Sequence, residues 1–145
     1  MPLLPEPSSC RFPESAQLLY ENRFLHLAID AHQPWLYACW LGEIDHAMLC
    51  AGAETIVRTV REHGIAKLLN DNRPLTNLQI DLAAWRQIDY LSQLHAASLH
   101  YIAWVYSDCA QIRFLVDDSL GRNRWPLTLT FEEYDVALDW LRNVA

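Results

Sequence analysis

The sequence DHAMLCAGAETIVRTVREHGIAKLLND, at residues 45–71, joins a helical pattern to a strand pattern. Apolar side chains recur every three or four positions over residues 49–60, with charged side chains between them, which predicts an amphipathic helix. Asp45 is placed as its N-cap, and Gly64 as the left-handed residue that ends it. The mostly apolar residues 65–71 follow at once, so this segment predicts a helix that leads directly into a buried strand.

Strand and helix patterns alternate on both sides of this segment. Alternating side chains predict strands at residues 23–30 and 35–41, and the short turn between them requires an antiparallel hairpin. Downstream, the patterns predict a long helix opened by the capping box Thr76-x-x-Gln79, a strand at 99–106, a helix from Asp108 to Gly121, a strand at 127–130, and a final helix opened by the capping box Thr130-x-x-Glu133.

The predicted element order is β-β-α-β-α-β-α-β-α. Strands that alternate with helices form mostly parallel sheets with right-handed crossovers, and the opening hairpin makes the sheet mixed. The predicted fold class is therefore α/β, with one mixed, mostly parallel five-stranded sheet. Residues 1–20 are rich in proline and serine and are predicted to form an arm that lies on the single domain, which spans residues 21–145.

Composition excludes several classes of protein. The chain has 145 residues, of which 52% are hydrophobic, so it suits one globular domain and is not intrinsically disordered. The net charge is −7 and no run of Lys and Arg interrupts it, so nucleic acid is not a predicted partner. No apolar stretch approaches about 18 residues, so no transmembrane segment is predicted. Only four glycines are present, too few for a dinucleotide-binding or phosphate-binding loop.

The four cysteines give no metal or disulfide pattern. Cys10, Cys39, Cys50 and Cys109 are widely spaced and form no C-x-x-C motif. We therefore predict four free thiols, no bound metal and no cofactor. The N-terminus lacks the basic and apolar regions of a signal peptide, and together these features predict a reduced, cytoplasmic protein.

Polar side chains follow the predicted strands, at the end where parallel sheets bind their ligands. These strand ends predict a binding rim, and the alternative is that Thr76, Asp108 and Thr130 only cap helices. No catalytic residue is predicted: Cys109 lacks the arginine of a Cys-x5-Arg phosphate loop, because position 115 is leucine. The predicted binding residues of the rim are Glu43, Asp71, Asn72, Arg73, Thr76, Ser107 and Asp108.

Aromatic side chains on the strands predict a second surface. Tyr37 lies in the second predicted strand, and Trp104 and Tyr106 share one face of the strand at 99–106. If all helices pack on one side of the sheet, we expect these side chains to form an apolar patch that another chain or residues 1–20 cover. A homodimer is the simplest cover, because a two-fold interface uses the same patch twice. The alternative is a core packed on both faces of the sheet.

Three short motifs carry a family resemblance. They are Trp40-Leu41-Gly42 at the end of the aromatic strand, Leu69-Asn70-Asp71 at the end of the next strand, and the terminal Phe131-Glu132-Glu133-Tyr134-x-x-Ala137-Leu138-x-Trp140-Leu141. Together with the element order, they make residues 21–145 resemble the STAS-like, or SpoIIAA-like, domain family, which includes bacterial anti-sigma-factor antagonists and small uncharacterised proteins. The resemblance implies a non-enzymatic protein-interaction or regulatory module of a bacterial cytoplasm, whose partner is another protein or a second copy of the chain.

The chain departs from this family at the phosphorylation motif. The family's antagonists carry a phosphorylatable Ser or Thr beside Asp, followed by Ser or Thr and Gly, whereas residues 71–77 here read DNRPLTN and offer only Asp71 and Thr76. The resemblance therefore does not imply a phosphoswitch. Two other functions stay open: a carrier of a small apolar ligand or lipid, and an enzyme that uses Asp71, Arg73 and Asp108. We expect a helix to begin within two residues of Thr76, and if residues 76–80 are extended the family resemblance fails as well.

Overall fold

The computed structural model of the chain describes residues 10–144. None of the helices in this range is long and apolar enough to cross a lipid bilayer. The strands of this range are β1 (Ala16–Glu21), β2 (Leu25–Asp30), β3 (Trp35–Trp40), β4 (Gly42–Asp45), β5 (Lys67–Asp71), β6 (Leu75–Gln79), β7 (Tyr101–Val105) and β8 (Leu127–Phe131). Its helices are α1 (His46–His63), α2 (Leu82–Gln87), α3 (Tyr90–Ala96), α4 (Ala110–Arg122) and α5 (Tyr134–Asn143).

Six strands form one mixed sheet in the order β1-β2-β3-β5-β7-β8. The pairs β1–β2 and β2–β3 are antiparallel, and the pairs β3–β5, β5–β7 and β7–β8 are parallel. The prediction of an α/β fold with a mixed, mostly parallel sheet is confirmed, although this sheet has six strands rather than five. β4 and β6 form a separate two-stranded parallel sheet.

Part of the predicted N-terminal arm belongs to the large sheet. β1 pairs with β2 from Ala16 opposite Asp30 to Glu21 opposite His26, and it forms one edge of the sheet. The last proline before β1 is Pro13, so no proline within β1 removes a hydrogen bond of its ladder with β2. For residues 16–20 the structure thus has a strand where the sequence predicted an arm, and residues 1–9 lie outside the described range.

Helix α1 has the ends that the sequence predicts. The Asp45 carboxylate accepts a hydrogen bond from the backbone N–H of Met48 at 2.9 Å. Gly64 follows the helix with a left-handed φ of 61°. The predicted N-cap and the predicted stop are both confirmed, because each depends only on residues that are neighbours in sequence.

The helix predicted to begin at Thr76 is wrong. Residues 75–79 form β6, which pairs with β4, and Thr76 is exposed on that strand. The next helix begins after Asp81, whose carboxylate accepts a hydrogen bond from the Ala84 N–H at 2.7 Å. Pairing with β4, which is distant in sequence, outweighs the local capping signal. The predicted long helix is also divided into α2 and α3.

Two further helix starts differ from the prediction. Cys109 precedes α4 in place of Asp108. Thr130 lies within β8, and Glu133 precedes α5 without a side-chain hydrogen bond to the helix. Because the pairing of β7 with β8 continues past Thr130, this residue stays in the ladder and cannot act as a cap.

Helices cover both faces of the large sheet. α1, α2, α3 and α4 contribute to the core on one face, and α5 packs on the other. The structure therefore has the alternative arrangement, a core on both faces. The first core includes Leu25, Leu36, Ile56, Leu68, Ile102 and Leu115, and the second includes Tyr37, Leu69, Ala103, Val105, Ala137 and Leu141.

The predicted aromatic patch is divided between the two faces, and that prediction is wrong. Tyr37 pairs with Leu69, and Leu69 pairs with Ala103, so Trp104 is one residue out of this row and faces the opposite side. Trp104 is buried in the core of α1 to α4. Tyr37 is buried on the α5 side, where Phe12 packs at 6.4 Å between ring centroids. Helix α5 supplies most of the cover that the prediction assigned to another chain or to residues 1–20.

A disulfide joins Cys10 to Cys39, so the prediction of four free thiols is wrong. The two Cα atoms are 5.9 Å apart, a separation that suits a disulfide. The fold brings together two residues that are 29 apart in the chain, which spacing in the sequence could not reveal. Cys50 and Cys109 are free. The cysteines therefore no longer support a reduced, cytoplasmic protein, because disulfides persist mainly in oxidising compartments.

Candidate functional site

The carboxyl ends of the parallel strands meet in one row. Cys39 of β3 pairs with Asp71 of β5, and Asp71 pairs with Val105 of β7. Val105 pairs in turn with Phe131 of β8. The residues at and just beyond this row therefore lie along one edge of the sheet, which we call the rim. The rim residues that make the contacts described below are Asp71, Asn72, Arg73, Tyr106, Ser107, Arg113 and Glu132.

Asp71 and Arg73 form a two-bond ion pair in the rim. Arg73 Nε lies 3.0 Å from Asp71 Oδ1, and Arg73 Nη2 lies 2.9 Å from Asp71 Oδ2. The hydrogen bond to Asp71 raises the pKa of Arg73. The Arg73 guanidinium also lies 4.5 Å from the ring centroid of Tyr134 on α5. Asp71 is buried, and both of its carboxylate oxygens accept hydrogen bonds from the neighbouring Arg73.

Ser107 joins three elements beneath the rim. Its Oγ donates to the Leu75 carbonyl of β6 at 2.6 Å and accepts from the Cys109 N–H at 3.0 Å. Its carbonyl accepts from Arg113 Nε at 2.9 Å. Ser107 is only 1% exposed, so these bonds make it a structural link between β6, β7 and α4 rather than a free hydroxyl.

A buried chain of side-chain hydrogen bonds continues inward from Asn72. The Asn70 amide nitrogen donates to Asn72 Oδ1 at 3.2 Å, and Asn70 Oδ1 accepts from Trp40 Nε1 at 3.1 Å. The Asn72 backbone N–H donates to the Val105 carbonyl at 3.0 Å. Asn72 is thus held in the sheet end by bonds to its side chain and its backbone, and the network fixes the start of the loop before β6.

The exposed part of the rim is centred on Arg113. Its guanidinium pairs with Glu132 and lies 4.4 Å from the ring centroid of Tyr106. The Tyr106 hydroxyl donates to Asp117. The next residue along α4, Phe114, is 56% exposed. Another macromolecule can reach this group of charged and aromatic side chains, because Glu132 is 70% exposed and Phe114 is 56% exposed.

Three of the predicted rim residues take no part in these contacts. Glu43 and Thr76 are exposed on the separate sheet of β4 and β6, and Asp108 is exposed before α4. Arg113 and Glu132 were not among the predicted rim residues. Glu132 directly follows β8, so the strand-end rule could have found it, whereas the place of Arg113 depends on where α4 begins relative to the rim.

The polar side chains of the rim are largely hydrogen-bonded within the protein. Within residues 10–144, no three His, Cys, Asp or Glu side chains form a group that could hold a metal ion. Asp71 and Arg73 bond to each other, and Asp108 lies in the exposed loop before α4. The rim can offer paired charges and aromatic faces to a macromolecular surface.

A cavity of about 40 Å³ lies between the large sheet and helices α1 to α4, and Asn72 forms part of its lining. Its lining is mostly apolar and contains the indoles of Trp85 and Trp104 and the phenol of Tyr90. For the function as a carrier, the predicted binding place of the apolar ligand was the aromatic side of the sheet or the space beneath residues 1–20. The cavity instead lies on the face opposite α5.

Comparison with known proteins gives matches among solved structures. No protein-family model and no curated protein matches the chain. An uncharacterised protein of the DUF3478 family with a SpoIIAA-like fold, from Shewanella loihica, matches at a TM-score of 0.54 and 19% identity, over 85% of this chain and 98% of that one. The fold of this chain is SpoIIAA-like.

Two anti-sigma factor antagonists share the SpoIIAA-like fold with it. SpoIIAA in its unphosphorylated form has a TM-score of 0.53 at 14% identity, over 90% of this chain and 98% of that one. An anti-sigma factor antagonist from Mycobacterium paratuberculosis has a TM-score of 0.53 at 16% identity, over 92% of this chain and 100% of that one. The fold is thus present although residues 76–79 are extended, so the expectation that the resemblance required a helix there was wrong.

Proposed function

We propose that this chain is a non-enzymatic protein-interaction or regulatory module of a bacterial cytoplasm, and that the exposed part of the rim contacts the partner protein. The observation that carries the proposal is the exposure of Phe114, a large apolar side chain that is 56% exposed and directly follows Arg113 in α4. Two solved structures with the same fold are anti-sigma factor antagonists, which supports a regulatory role. A cytoplasmic location also belongs to the proposal, and in that compartment Cys10 and Cys39 would be reduced to free thiols.

The residues around Phe114 favour an interface on physical grounds. Aromatic residues and arginine are enriched at the centres of protein interfaces, where they contribute most of the binding energy. The Glu132 side chain is 70% exposed, so its pair with Arg113 is well solvated. An exposed pair of this kind contributes about 0–1 kcal/mol, so a partner can replace it with its own charge at little cost.

The bonds within the rim favour binding over catalysis. Asp71 would be the natural acid or base of an enzyme at the strand ends, but both of its oxygens accept hydrogen bonds from Arg73. Ser107 would be the natural nucleophile, but its hydroxyl is buried and bonded to a backbone carbonyl. An enzyme that uses Asp71, Arg73 and Asp108 would have to break the hydrogen bonds between Asp71 and Arg73 in each turnover.

Site-specific photo-crosslinking tests the proposal. A photoreactive phenylalanine is placed at position 114 in one variant and at position 18 in another, and each is irradiated in cells of the source bacterium. Leu18 is the matched control, because it is 57% exposed but lies on β1, at the opposite edge of the sheet from β8. We expect one protein to crosslink through position 114 and not through position 18. Equal crosslinking at both positions, or none at 114, would refute the rim as the contact surface.

Self-association is the other form of the same proposal. A second copy of the chain captured through position 114 would identify the partner as the chain itself. Sedimentation of the purified protein would then give a dimer that dissociates in Phe114→Glu and persists in Leu18→Glu. A dimer that persists in both variants would place the contact elsewhere.

A further inference from the structure

Strand β8 is an open edge of the large sheet. It pairs with β7 on one side, and no strand lies beyond it among residues 10–144. The Leu127 N–H and the Phe131 carbonyl both bond toward β7 and the residues that flank it. Because bonding alternates along a strand, the backbone N–H and C=O groups of Thr128 and Thr130 point to the open side. β8 therefore offers donors and acceptors to a further strand.

β8 lacks the features that protect an edge strand from pairing. Proteins shield such edges with charged side chains, proline or a β-bulge. Residues 127–131 read LTLTF, without charge or proline, and their register with β7 is regular throughout. At the opposite edge of the sheet, the register of β1 is interrupted between Leu18 and Tyr20. Of these two edges, β8 is therefore the one suited to pairing with another strand.

Apolar side chains of β8 extend the open edge on the α5 side of the sheet. Leu129 pairs with Ala103, a residue of the core beneath α5, and Leu127 shares its face because it lies two positions away. α5 covers both side chains only in part, since Leu127 is 40% exposed and Leu129 is 43% exposed. A further strand beside β8 removes this apolar surface from water, which favours association.

Opposite charges flank β8 and select its partner. Arg124 precedes the strand and Glu133 follows it, and both are exposed. If a second copy of β8 runs antiparallel to the first, Arg124 of each copy comes close to Glu133 of the other. A parallel copy would instead place like charges side by side, which is unfavourable. The edge is therefore complementary to a second copy of itself, in the antiparallel direction.

We propose that two copies of this chain pair through β8 as an antiparallel, two-fold dimer, which joins their large sheets into one. Thr128 of each copy lies opposite Thr130 of the other, so their outward N–H and C=O groups bond across the interface. Leu129 meets Leu129 of the other copy at the axis, and Leu127 lies opposite Phe131. A two-fold interface uses the same strand twice. It does not use Phe114, so it is independent of the partner proposed for the rim.

Sedimentation equilibrium of the full chain tests the dimer, with the fold of each variant checked by circular dichroism. We expect the wild type to dimerise at micromolar concentration. Leu129→Glu places two carboxylates together at the axis and should weaken the dimer by about 100-fold or more. Leu18→Glu is the matched control, because Leu18 is 57% exposed on the opposite edge, so the dimer should persist. A monomeric wild type at high micromolar concentration, or a dimer that persists in Leu129→Glu, would overturn the proposal.

Exchange of the flanking charges tests the direction of pairing. Arg124→Glu and Glu133→Arg should each weaken the dimer by about three- to tenfold, because exposed ion pairs contribute little individually. The double variant carries both changes and should regain the wild-type affinity, since the two charges again attract each other across the interface. A double variant that dimerises no better than either single variant would contradict antiparallel pairing.

Cysteine crosslinking tests the register and does not depend on the folding of Leu129→Glu. The background is Cys50→Ala with Cys109→Ala, which removes the two free thiols of the described residues. Under air oxidation, Leu129→Cys should form a disulfide between copies, because the two positions meet at the axis. Leu127→Cys should not, since its two copies lie about 14 Å apart along the paired strands. Equal crosslinking at both positions, or none at 129, would overturn the proposal.

Discussion

Removal of the Cys10–Cys39 disulfide should lower the stability of the fold by about 3–4 kcal/mol. The bond closes a loop with a sequence separation of 29 residues, which contains β1, β2 and the turns between them. The loss of chain entropy in the unfolded state for a loop of this length corresponds to about 3.6 kcal/mol at 25 °C. Cys39 is 0% exposed, so the bond is anchored in the core of the sheet.

Urea unfolding of Cys10→Ala under non-reducing conditions measures this effect. With a urea dependence of about 2 kcal/mol per M, the midpoint should fall by nearly 2 M relative to the wild type. Cys50→Ala is the control, because Cys50 is free and exposed and its removal should leave the midpoint unchanged. The reasoning fails if Cys10→Ala unfolds at the wild-type midpoint, or if four thiols rather than two react in the denatured, unreduced protein.

Four further substitutions test three separate features of the fold by thermal or urea unfolding. Asp81→Ala should lower stability by about 1 kcal/mol because it removes the N-cap of α2. Thr76→Ala, on an exposed strand, should change stability by less than about 0.5 kcal/mol. A larger loss of stability in Thr76→Ala than in Asp81→Ala would restore the predicted helix start at Thr76. Gly52→Ala should destabilise by about 1–3 kcal/mol, since the new Cβ would lie 2.4 Å from the Trp40 ring, and a gain in stability would contradict this packing. Asn70→Ala should cost about 1–3 kcal/mol because it leaves the buried Trp40 Nε1–H unpaired, and a neutral effect would argue against the network.

Features fixed by neighbouring residues could be predicted from the sequence. The ends of α1 at Asp45 and Gly64 follow from local hydrogen bonding and from the freedom of glycine at positive φ. The period of the apolar side chains predicted β2, β3, α1, β5, β7, α4, β8 and α5 in the right order, but it missed β1, β4 and β6. The strand-end rule placed Asp71, Asn72, Arg73 and Ser107 together at the rim, because parallel strands present their carboxyl ends at one edge.

Features fixed by pairing between segments that are distant in the chain could not be predicted from the sequence. The capping spacing at Thr76 is a sound local signal, but the partner strand β4 lies about 30 residues earlier and its pairing decides the outcome. The opposite orientations of Tyr37 and Trp104 follow from the register of three strands, which a shift of one residue would reverse. The disulfide likewise depends on the folded arrangement, because it joins residues that are 29 apart in the chain.

The affinity of the partner captured at position 114 tests the central claim most directly. The purified partner is titrated against the wild type, Phe114→Ala and Leu18→Ala by calorimetry, with the fold of each variant checked by circular dichroism. Loss of a central aromatic contact typically costs 2 kcal/mol or more, so Phe114→Ala should weaken binding by about 30-fold or more. Leu18→Ala should bind like the wild type. Wild-type affinity in Phe114→Ala would contradict the account, because the partner would then bind without the rim.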